Sequence, residues 1–421
     1  MSVSVPRLLL GLHPDGRPMD IAEHLHLHGP LPTPLNRASL LDAVEQSALR
    51  GRGGAGFPTG SKLRAVAGGR GPKIVVANGV EGEPPSGKDR VLLRYVPHLI
   101  LDGVEVAARA VGADQAIVAV SSAAAAELAV LQTALRERSR GGRVEIRVKA
   151  VPDAFVAGEE TALINALSGG PPRPTATPPR PFERGLDGRP TLVQNVETLA
   201  QLALISRRGP AWFREIGTQD EPGSALVTLS GAVRAPGVYE VPLGTPLRDL
   251  VAEAGGATQP VRSVLTGGYF GTWLDADTAL ACDLSEASLG VAGASLGARA
   301  IVVLPEGSCA LAEVARVSRF LADESAGQCG PCVHGLDAIA HTVDSLSLGE
   351  SSDGGVRLRR WLDQVEGRGS CRHPDGAAKF IRSALDVFAD EVAVHARGGR
   401  CSGRDLRLLP VRVRQYRREA A

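Results

Sequence analysis

No cysteine precedes Cys282 in this chain of 421 residues, and the six present (Cys282, Cys309, Cys329, Cys332, Cys371, Cys401) are spread over its C-terminal third. That distribution excludes the dense disulfide scaffold of a small secreted domain. In a reducing compartment it points the thiols towards metal or redox chemistry. Aromatic residues supply only 4% of the chain, so its cores must be packed mainly from Ala, Val and Leu. A net charge of +1 gives no overall attraction to nucleic acid or anionic lipid. No apolar run approaches the ~20 residues needed to span a bilayer. At the N-terminus the Leu8–Leu10 run is broken by His13, Asp15 and Arg17 too soon for a signal peptide. A cytoplasmic protein that does not bind nucleic acid is expected.

Glycine (50) and proline (29) are abundant instead, as in chains with many tight loops and close backbone approaches. At this length two to four packed units are expected. Residues 1–39 read as an N-terminal arm, with His24, His26 and His28 on a surface strand or extended stretch. From Arg37 a helical pattern runs into a glycine-rich segment. Short apolar segments at Ile74–Ala77, Gln115–Ser121 and Val144–Val151 read as strands, and Pro97–Val111 and Ala123–Leu135 as helices, the first amphipathic. This alternation predicts an α/β domain over residues 40–215, with ligands at the loops leaving the carboxyl ends of its strands. Residues 216–299 read as strand, Pro-Gly turn, strand and short helix, a β-grasp unit like the soluble-ligand-binding type. A strand at Ala300–Leu304 opens a helical domain assigned to residues 300–396. The Arg-rich segment 397–421 (Arg397, Arg400, Arg404, Arg407, Arg412, Arg414, Arg417, Arg418) reads as a solvated tail.

Six blocks carry chemistry. In RGRGGAGFPTGSK (50–62), Gly51, Gly53, Gly54, Gly56 and Gly60 let backbone N–H groups converge on an anion and let a flat ring lie on the main chain beside Phe57. Lys62 is placed to neutralise a phosphate. The loop NGVEGEP supplies Asn78, Glu81 and Glu83; AGEETALINAL supplies Gly158, Glu159 and Glu160 at a helix start, where backbone donors are free. NVETLA supplies Asn195 and Thr198. In ESAGQCGPCVHG and GSCRHPDG, Cys329, Cys332 and Cys371 form a thiolate signature.

In this order the blocks resemble the NADH-binding, FMN- and iron–sulfur-bearing subunit of respiratory complex I (the NADH:quinone oxidoreductase-F family) and related hydrogenase and formate dehydrogenase diaphorase subunits. The resemblance covers nearly the whole chain. It implies FMN in the glycine loop, with Asn78, Asn195 and Thr198 offering hydrogen bonds to isoalloxazine edges and ribityl hydroxyls. It also implies a 4Fe-4S cluster on Cys329, Cys332 and Cys371, NAD(P)H as donor, and ferredoxin-like or other redox subunits as partners. Through them it implies a membrane-bound reductase complex, with the chain peripheral to the inner face of the membrane. The chemistry then belongs to FMN, and no side chain is assigned a catalytic role.

The chain departs from the family pattern at definite places. Where the family has its first cluster cysteine this chain has Ala326, so a fourth ligand must come from Ser325, Glu324, His334 or water, or the cluster holds three irons. Cys309 and Cys401 match no ligand position. Of the rings that grip adenine in relatives, Phe57 remains, while Ala65 and Arg180 replace the others; Thr177 stands in the place of a lysine. Val80 replaces an Asp and Phe155 a Tyr, whereas Glu83, which contacts the nicotinamide side in relatives, is kept. Each lost stack weakens adenine binding by roughly 1–3 kcal/mol, unless Arg180 stacks its guanidinium or pairs with a phosphate, which would favour NADPH. Three other readings stay open: an FMN and iron–sulfur relay without nicotinamide chemistry, a cofactor-poor structural subunit, and a β-grasp ligand-binding module. The last leaves the glycine string unexplained.

Overall fold

Four short apolar segments pair as a parallel sheet in the computed structural model, which describes residues 6–33, 36–138 and 144–411. They are β1 (Lys73–Gly79), β2 (Ala113–Ser121), β3 (Glu145–Val151) and β4 (Thr191–Asn195), in the order β3-β2-β1-β4. Ile74–Ala77 is buried throughout, as expected of a parallel strand covered on both faces. The strand β1 has β2 on one side and β4 on the other, so the chain order reverses there. The crevice beyond the carboxyl ends of β1 and β4 is therefore a topological switch point, where open α/β sheets bind ligands.

The segment Pro97–Val111, expected as an amphipathic helix, is a helix whose residues are all buried apart from Glu105 and Arg109. The helices Arg37–Ser47 and Val196–Phe213 pack against it, and so does the N-terminal arm. That arm is not a surface strand. Asp20 and Glu23 form a capping box that starts the helix Ile21–His28, which places His24 and His28 one turn apart and buries both. The His24 Nε2 lies 2.6 Å from an Asp102 oxygen, and Asp102 also pairs with Arg138 and Arg207. Ahead of this helix, the backbone N–H groups of Arg7, Leu8 and Leu9 all donate to the Glu240 carboxylate, tying the arm to the β-grasp unit.

The second sheet contains β5 (Ser224–Gly231), β6 (Gly237–Pro242), β7 (Val261–Thr266), β8 (Thr272–Asp275) and β9 (Ala300–Pro305), in the order β6-β5-β9-β7-β8. The boundary expected at residue 299 must be moved, because β9 is the central strand of this sheet, parallel to β5 and antiparallel to β7. Every residue of β9 is buried. Local pattern could mark it as a strand but not reveal partners so far away in sequence.

The helices Ala310–Asp323, Asp337–Ser347, Gly354–Val365, His373–Val387 and Ala389–Ala396 build the C-terminal domain. Residues 397–411 are not a solvated tail. Leu409 is fully buried, the N–H groups of Leu408 and Leu409 donate to Glu313, and the Pro410 carbonyl accepts from the Tyr269 hydroxyl. Arg412, Arg414, Arg417 and Arg418 lie outside the described residues. Among the described residues, no helix is long and apolar enough to cross a membrane.

Candidate cofactor sites

Asn78 is the penultimate residue of β1, Asn195 ends β4, and the two are paired in register at the switch point. Asn195 caps the helix Val196–Phe213 by accepting from the Glu197 N–H at 3.0 Å, while its Nδ2 donates to Asp89 at 2.7 Å. Asn78 donates to the Gly158 carbonyl at 2.8 Å and accepts from the Val80 N–H. Sequence reasoning missed the charges beneath them. Lys88 is buried, with its Nζ 2.7 Å from Asp89 and 3.0 Å from Glu197. Buried charges persist only when paired, and this triad locks the loop after β1 to the helix after β4. The signal available was the triplet Gly87-Lys88-Asp89 just after the NGVEGEP block and a glutamate after Asn-Val in NVETLA.

The glycine loop folds as a narrow hairpin. Arg50 bridges to Pro58, and the Gly51 N–H donates to the Phe57 carbonyl at 2.8 Å. At its tip Gly54 has φ +111°, a backbone conformation costly for any residue with a side chain. Gly53 lies against the Cβ of Asn195. The Arg52 N–H donates to the Thr198 hydroxyl at 2.8 Å, and the Arg52 carbonyl accepts from Arg299 at 2.8 Å. Burial and the neighbouring Arg299 lower the Arg52 guanidinium to about 9, so it remains charged at neutral pH. A cavity of about 370 Å³, lined by Arg50, Arg52, Gly54, Glu221, Glu286 and Arg299 among others, opens between this loop and the β-grasp unit. Lys62 sits on the helix Thr59–Gly68, which begins without a side-chain cap, the Thr59 N–H donating to the Leu49 carbonyl at 2.9 Å. Its Nζ pairs with Glu160 at 2.9 Å.

Glu159 caps the helix Glu160–Leu167, accepting from the N–H groups of Thr161 at 3.0 Å and Ala162 at 2.9 Å. A Cβ at Gly82 would lie 2.5 Å from the Phe155 carbonyl, so the loop after β1 and the turn before Gly158 press backbone to backbone. Glu81 is buried and accepts from the Ser86 hydroxyl and from the N–H groups of Asp89 and Arg90, capping the helix Lys88–Tyr95. Glu83 accepts from the Tyr269 N–H at 2.9 Å, across to the β-grasp unit. The structure thus brings Gly53, Asn78, Gly158 and Asn195 together through direct contacts and joins Thr198 to the loop through Arg52. It also pairs Lys62 with Glu160, and it gives Glu81 a scaffold contact that sequence did not show. Phe57 is 57% exposed, and Ala65 and Arg180 are also exposed.

The thiols stand on the other side of Phe155. Cys329 leads into the wide turn Pro331–Leu336, which carries Cys332, and Cys371 precedes the helix His373–Val387. Burial opposes ionisation of Cys329, but hydrogen bonds from Ser370 and Cys332 bring it below its ordinary value. Burial and the Cys329 sulfur raise Cys332. Burial raises Cys371 too, assisted by Cys329 and Glu159. Cys329 and Cys332 flank one turn, and the helix behind Cys371 packs on that turn; the charge of Glu159, the helix cap of the flavin side, contributes to raising Cys371. Phe155 joins the two halves: its N–H donates to Glu324 at 2.9 Å, and its ring meets Phe270, Phe320 and His373 edge-on at 5.0–5.7 Å. Among the candidate fourth ligands, Glu324 is thus engaged by Phe155, and His334 is exposed. Cys309 and Cys401, unassigned from sequence, converge with Glu391 and His395. The Glu391/His395 spacing of one helical turn was the signal that could have found them.

A glycine-loop α/β domain, a β-grasp unit and a thiolate-bearing helical domain joined through Phe155 define a modular redox subunit. Residues 44–204 match the Nuo51 FMN-binding domain, residues 226–268 the SLBB domain, and residues 312–395 the NADH-ubiquinone oxidoreductase-F iron-sulfur binding region. The chain is 36% identical over 378 residues to NADH-quinone oxidoreductase-F 2 of Rhizobium meliloti (strain 1021), covering 86% of this chain and 90% of that protein. It is 35% identical over 376 residues to NADH-quinone oxidoreductase-F of Streptomyces coelicolor, covering 86% and 84%. A solved NAD+-reducing NiFe hydrogenase in the air-oxidised state superposes with a TM-score of 0.83 at 35% identity, over 94% of this chain and 68% of that one. The chain belongs to the NADH-quinone oxidoreductase-F family. It is an electron-transfer subunit of that type, an oxidoreductase with an FMN-binding and an iron–sulfur-binding domain working towards a redox partner.

Proposed function

We propose that this subunit takes electrons from NAD(P)H at FMN and delivers them to a 4Fe-4S cluster and then to a ferredoxin-like or other redox subunit of a larger complex. The observation that carries this reading is the in-register Asn78–Asn195 pair at the switch point, with the Gly51–Gly56 loop laid against Asn195. Bound there, FMN supplies the exchange between two-electron hydride chemistry and single-electron transfer. Gly51, Gly53, Gly54 and Gly56 let a flat ring approach the main chain beside Phe57, and Asn78, Asn195 and Thr198 present neutral hydrogen-bonding groups. Lys62, held by Glu160, offers positive charge for a phosphate, and Gly158, Glu159 and Glu160 close the opposite wall. Glu81 fixes the loop from inside, and Glu83 fastens it to the β-grasp unit. Cys329, Cys332 and Cys371 hold the cluster, with an oxygen or nitrogen donor in place of the thiolate lost at Ala326. The fit rests on the donor set itself, two thiols three residues apart around the turn Pro331–Leu336 and a third just ahead of the helix His373–Val387, which packs on that turn.

The nicotinamide side is the weaker part. With Phe57 exposed and no aromatic ring at 65 or 180, the dinucleotide is bound mainly at its reacting end, so a high KM is expected. Association with a membrane complex runs through partner subunits. Anaerobic purification followed by an absorption spectrum and NADH or NADPH titration tests the assignment. Stoichiometric FMN bleached by either nucleotide supports it. Flavin that neither nucleotide reduces leaves a relay fed by another protein, and colourless protein that takes up no FMN leaves a structural subunit.

A further inference from the structure

Apart from the three cluster thiols, four side chains from separate parts of the C-terminal domain point at one another. Cys309 sits at the start of the helix Ala310–Asp323, Glu391 and His395 lie one turn apart on the helix Ala389–Ala396, and Cys401 follows that helix. One donor atom from each lies within 4.8 Å of every other. The measured edges are 3.2 Å from Cys309 Sγ to Glu391 Oε1, 3.8 Å from Cys309 Sγ to His395 Nε2, and 3.1 Å from His395 Nε2 to Cys401 Sγ. A zinc ion with bonds of ~2.3 Å to sulfur and ~2.0 Å to nitrogen or oxygen demands donor separations of about 3.3–3.8 Å, and these three edges lie within or close to that range. Cys309, Glu391 and His395 are buried and Cys401 is half-buried.

We propose that Cys309, Glu391, His395 and Cys401 form a closed structural zinc site, separate from the iron–sulfur ligands. The surroundings are those of a metal-ligating set. His395 Nδ1 lies 2.9 Å from the Ser347 carbonyl; donating its proton there leaves the Nε2 lone pair turned towards the two sulfurs, the outer-shell arrangement typical of metal-bound histidine. Glu391 Oε1 accepts from the Leu311 N–H at 2.9 Å and keeps a second lone pair on the Cys309 side. Its other oxygen is 2.6 Å from Arg262. Zinc binding releases the two thiol protons to solvent. The resulting two thiolates and one carboxylate exceed the metal's charge by one, which Arg262 offsets. Two thiolates, an imidazole and a carboxylate suit zinc and leave no open position for a substrate. The site clips the segment after Ala396 to the helix start at Cys309. The same segment carries the buried Leu409 and the N–H groups that satisfy Glu313.

The proposal is independent of the flavin assignment and is tested on the full chain by elemental analysis and zinc-edge X-ray absorption. Protein carrying Cys329→Ser and Cys332→Ser should retain one zinc per chain, with a two-sulfur shell at ~2.3 Å and a nitrogen or oxygen shell at ~2.0 Å. Adding Cys309→Ser and Cys401→Ser should abolish that zinc, and chelation should raise amide exchange in residues 397–411. If the quadruple variant fails to fold, the absorption shell of the double variant decides alone. Zinc absent from protein produced with ample zinc, a shell without sulfur, iron in place of zinc, or a Cys309–Cys401 disulfide in the native protein would each overturn the proposal.

Discussion

The flavin cradle and the thiolate region are made of different materials. Around the glycine loop, binding is shaped by backbone: a hairpin closed by main-chain bonds, a φ that only glycine adopts freely, and two helix starts capped by Glu159 and Asn195. Around the proposed nicotinamide side and the three thiols, recognition would depend on what single side chains are, and Ala65, Arg180 and Ala326 offer neither an aromatic ring nor a thiol. A backbone-built site tolerates exchange of its surroundings as long as the strand ends stay in register. A site built from side chains loses a whole interaction with each exchange.

The largest expected effect comes from breaking the backbone side of this contrast. Gly54→Val forces a β-branched residue to φ +111°, a strain of about 1–3 kcal/mol, and sets its side chain at the loop tip. Flavin content after gel filtration should fall at least about tenfold while the circular dichroism spectrum is kept. A variant that still carries one flavin per chain would erase the contrast between the two regions.

The cluster comes next. Cys371→Ser should remove most of the iron, because two thiolates on one short turn cannot hold a cubane. Ala326→Cys should slow iron loss in air and suppress any three-iron signal in electron paramagnetic resonance. If iron retention is the same with and without the new cysteine, a strong non-thiolate ligand already completes the site. The nicotinamide side should respond more modestly. Restoring rings with Ala65→Phe and Arg180→Phe should lower the KM for NADH roughly tenfold or more, at about 1–3 kcal/mol per stack. The kcat should change little, because remote adenine contacts are shared by ground and transition states. A wild-type KM already in the range of a fully stacked site would refute the assignment of these positions.

The smallest effect belongs to the arm. Burial, aided by His24 and Arg207, lowers His28 from 6.5 to about 4. The unfolded chain therefore takes up this proton first, and the contribution of neutral His28 is lost as the pH falls from about 6.5 towards 4. His28→Gln should flatten that part of the stability curve, measured as the denaturation midpoint against pH. An unchanged slope would place the acid sensitivity elsewhere.

Much of this contrast could be read before any coordinates. The strands β1, β2 and β3, the start of the helix at Glu160 and the in-line blocks around Gly54, Asn78, Glu159 and Asn195 all announce themselves locally, by apolar runs, caps and glycine spacing. The errors fell where a residue's role depends on distant partners. His24 and His28 lie in a segment whose alternation mimics a strand, yet a capping box makes it a helix and Asp102 gives it a buried partner. The strand β9 reads correctly as a strand, but its place at the centre of the second sheet depends on β5 and β7. Glu81 looks like a ligand-facing acid, and its carboxylate also caps a helix from within, which no local pattern announced.

By itself, then, the sequence determined the domain types and the glycine-rich loop, and it proposed the thiol set Cys329, Cys332 and Cys371. These depend on backbone preference and short spacings, which act within a few residues. Only the tertiary structure decided that Asn78 and Asn195 are neighbours, that Lys88 is buried between Asp89 and Glu197, and that Phe155 connects the flavin side to the cluster. It also decided that Cys309 and Cys401, 92 positions apart in the numbering, face one histidine. Each of these is a contact between segments distant in the chain, settled by how sheets and helices pack, and no local pattern encodes which distant surface a buried side chain will meet.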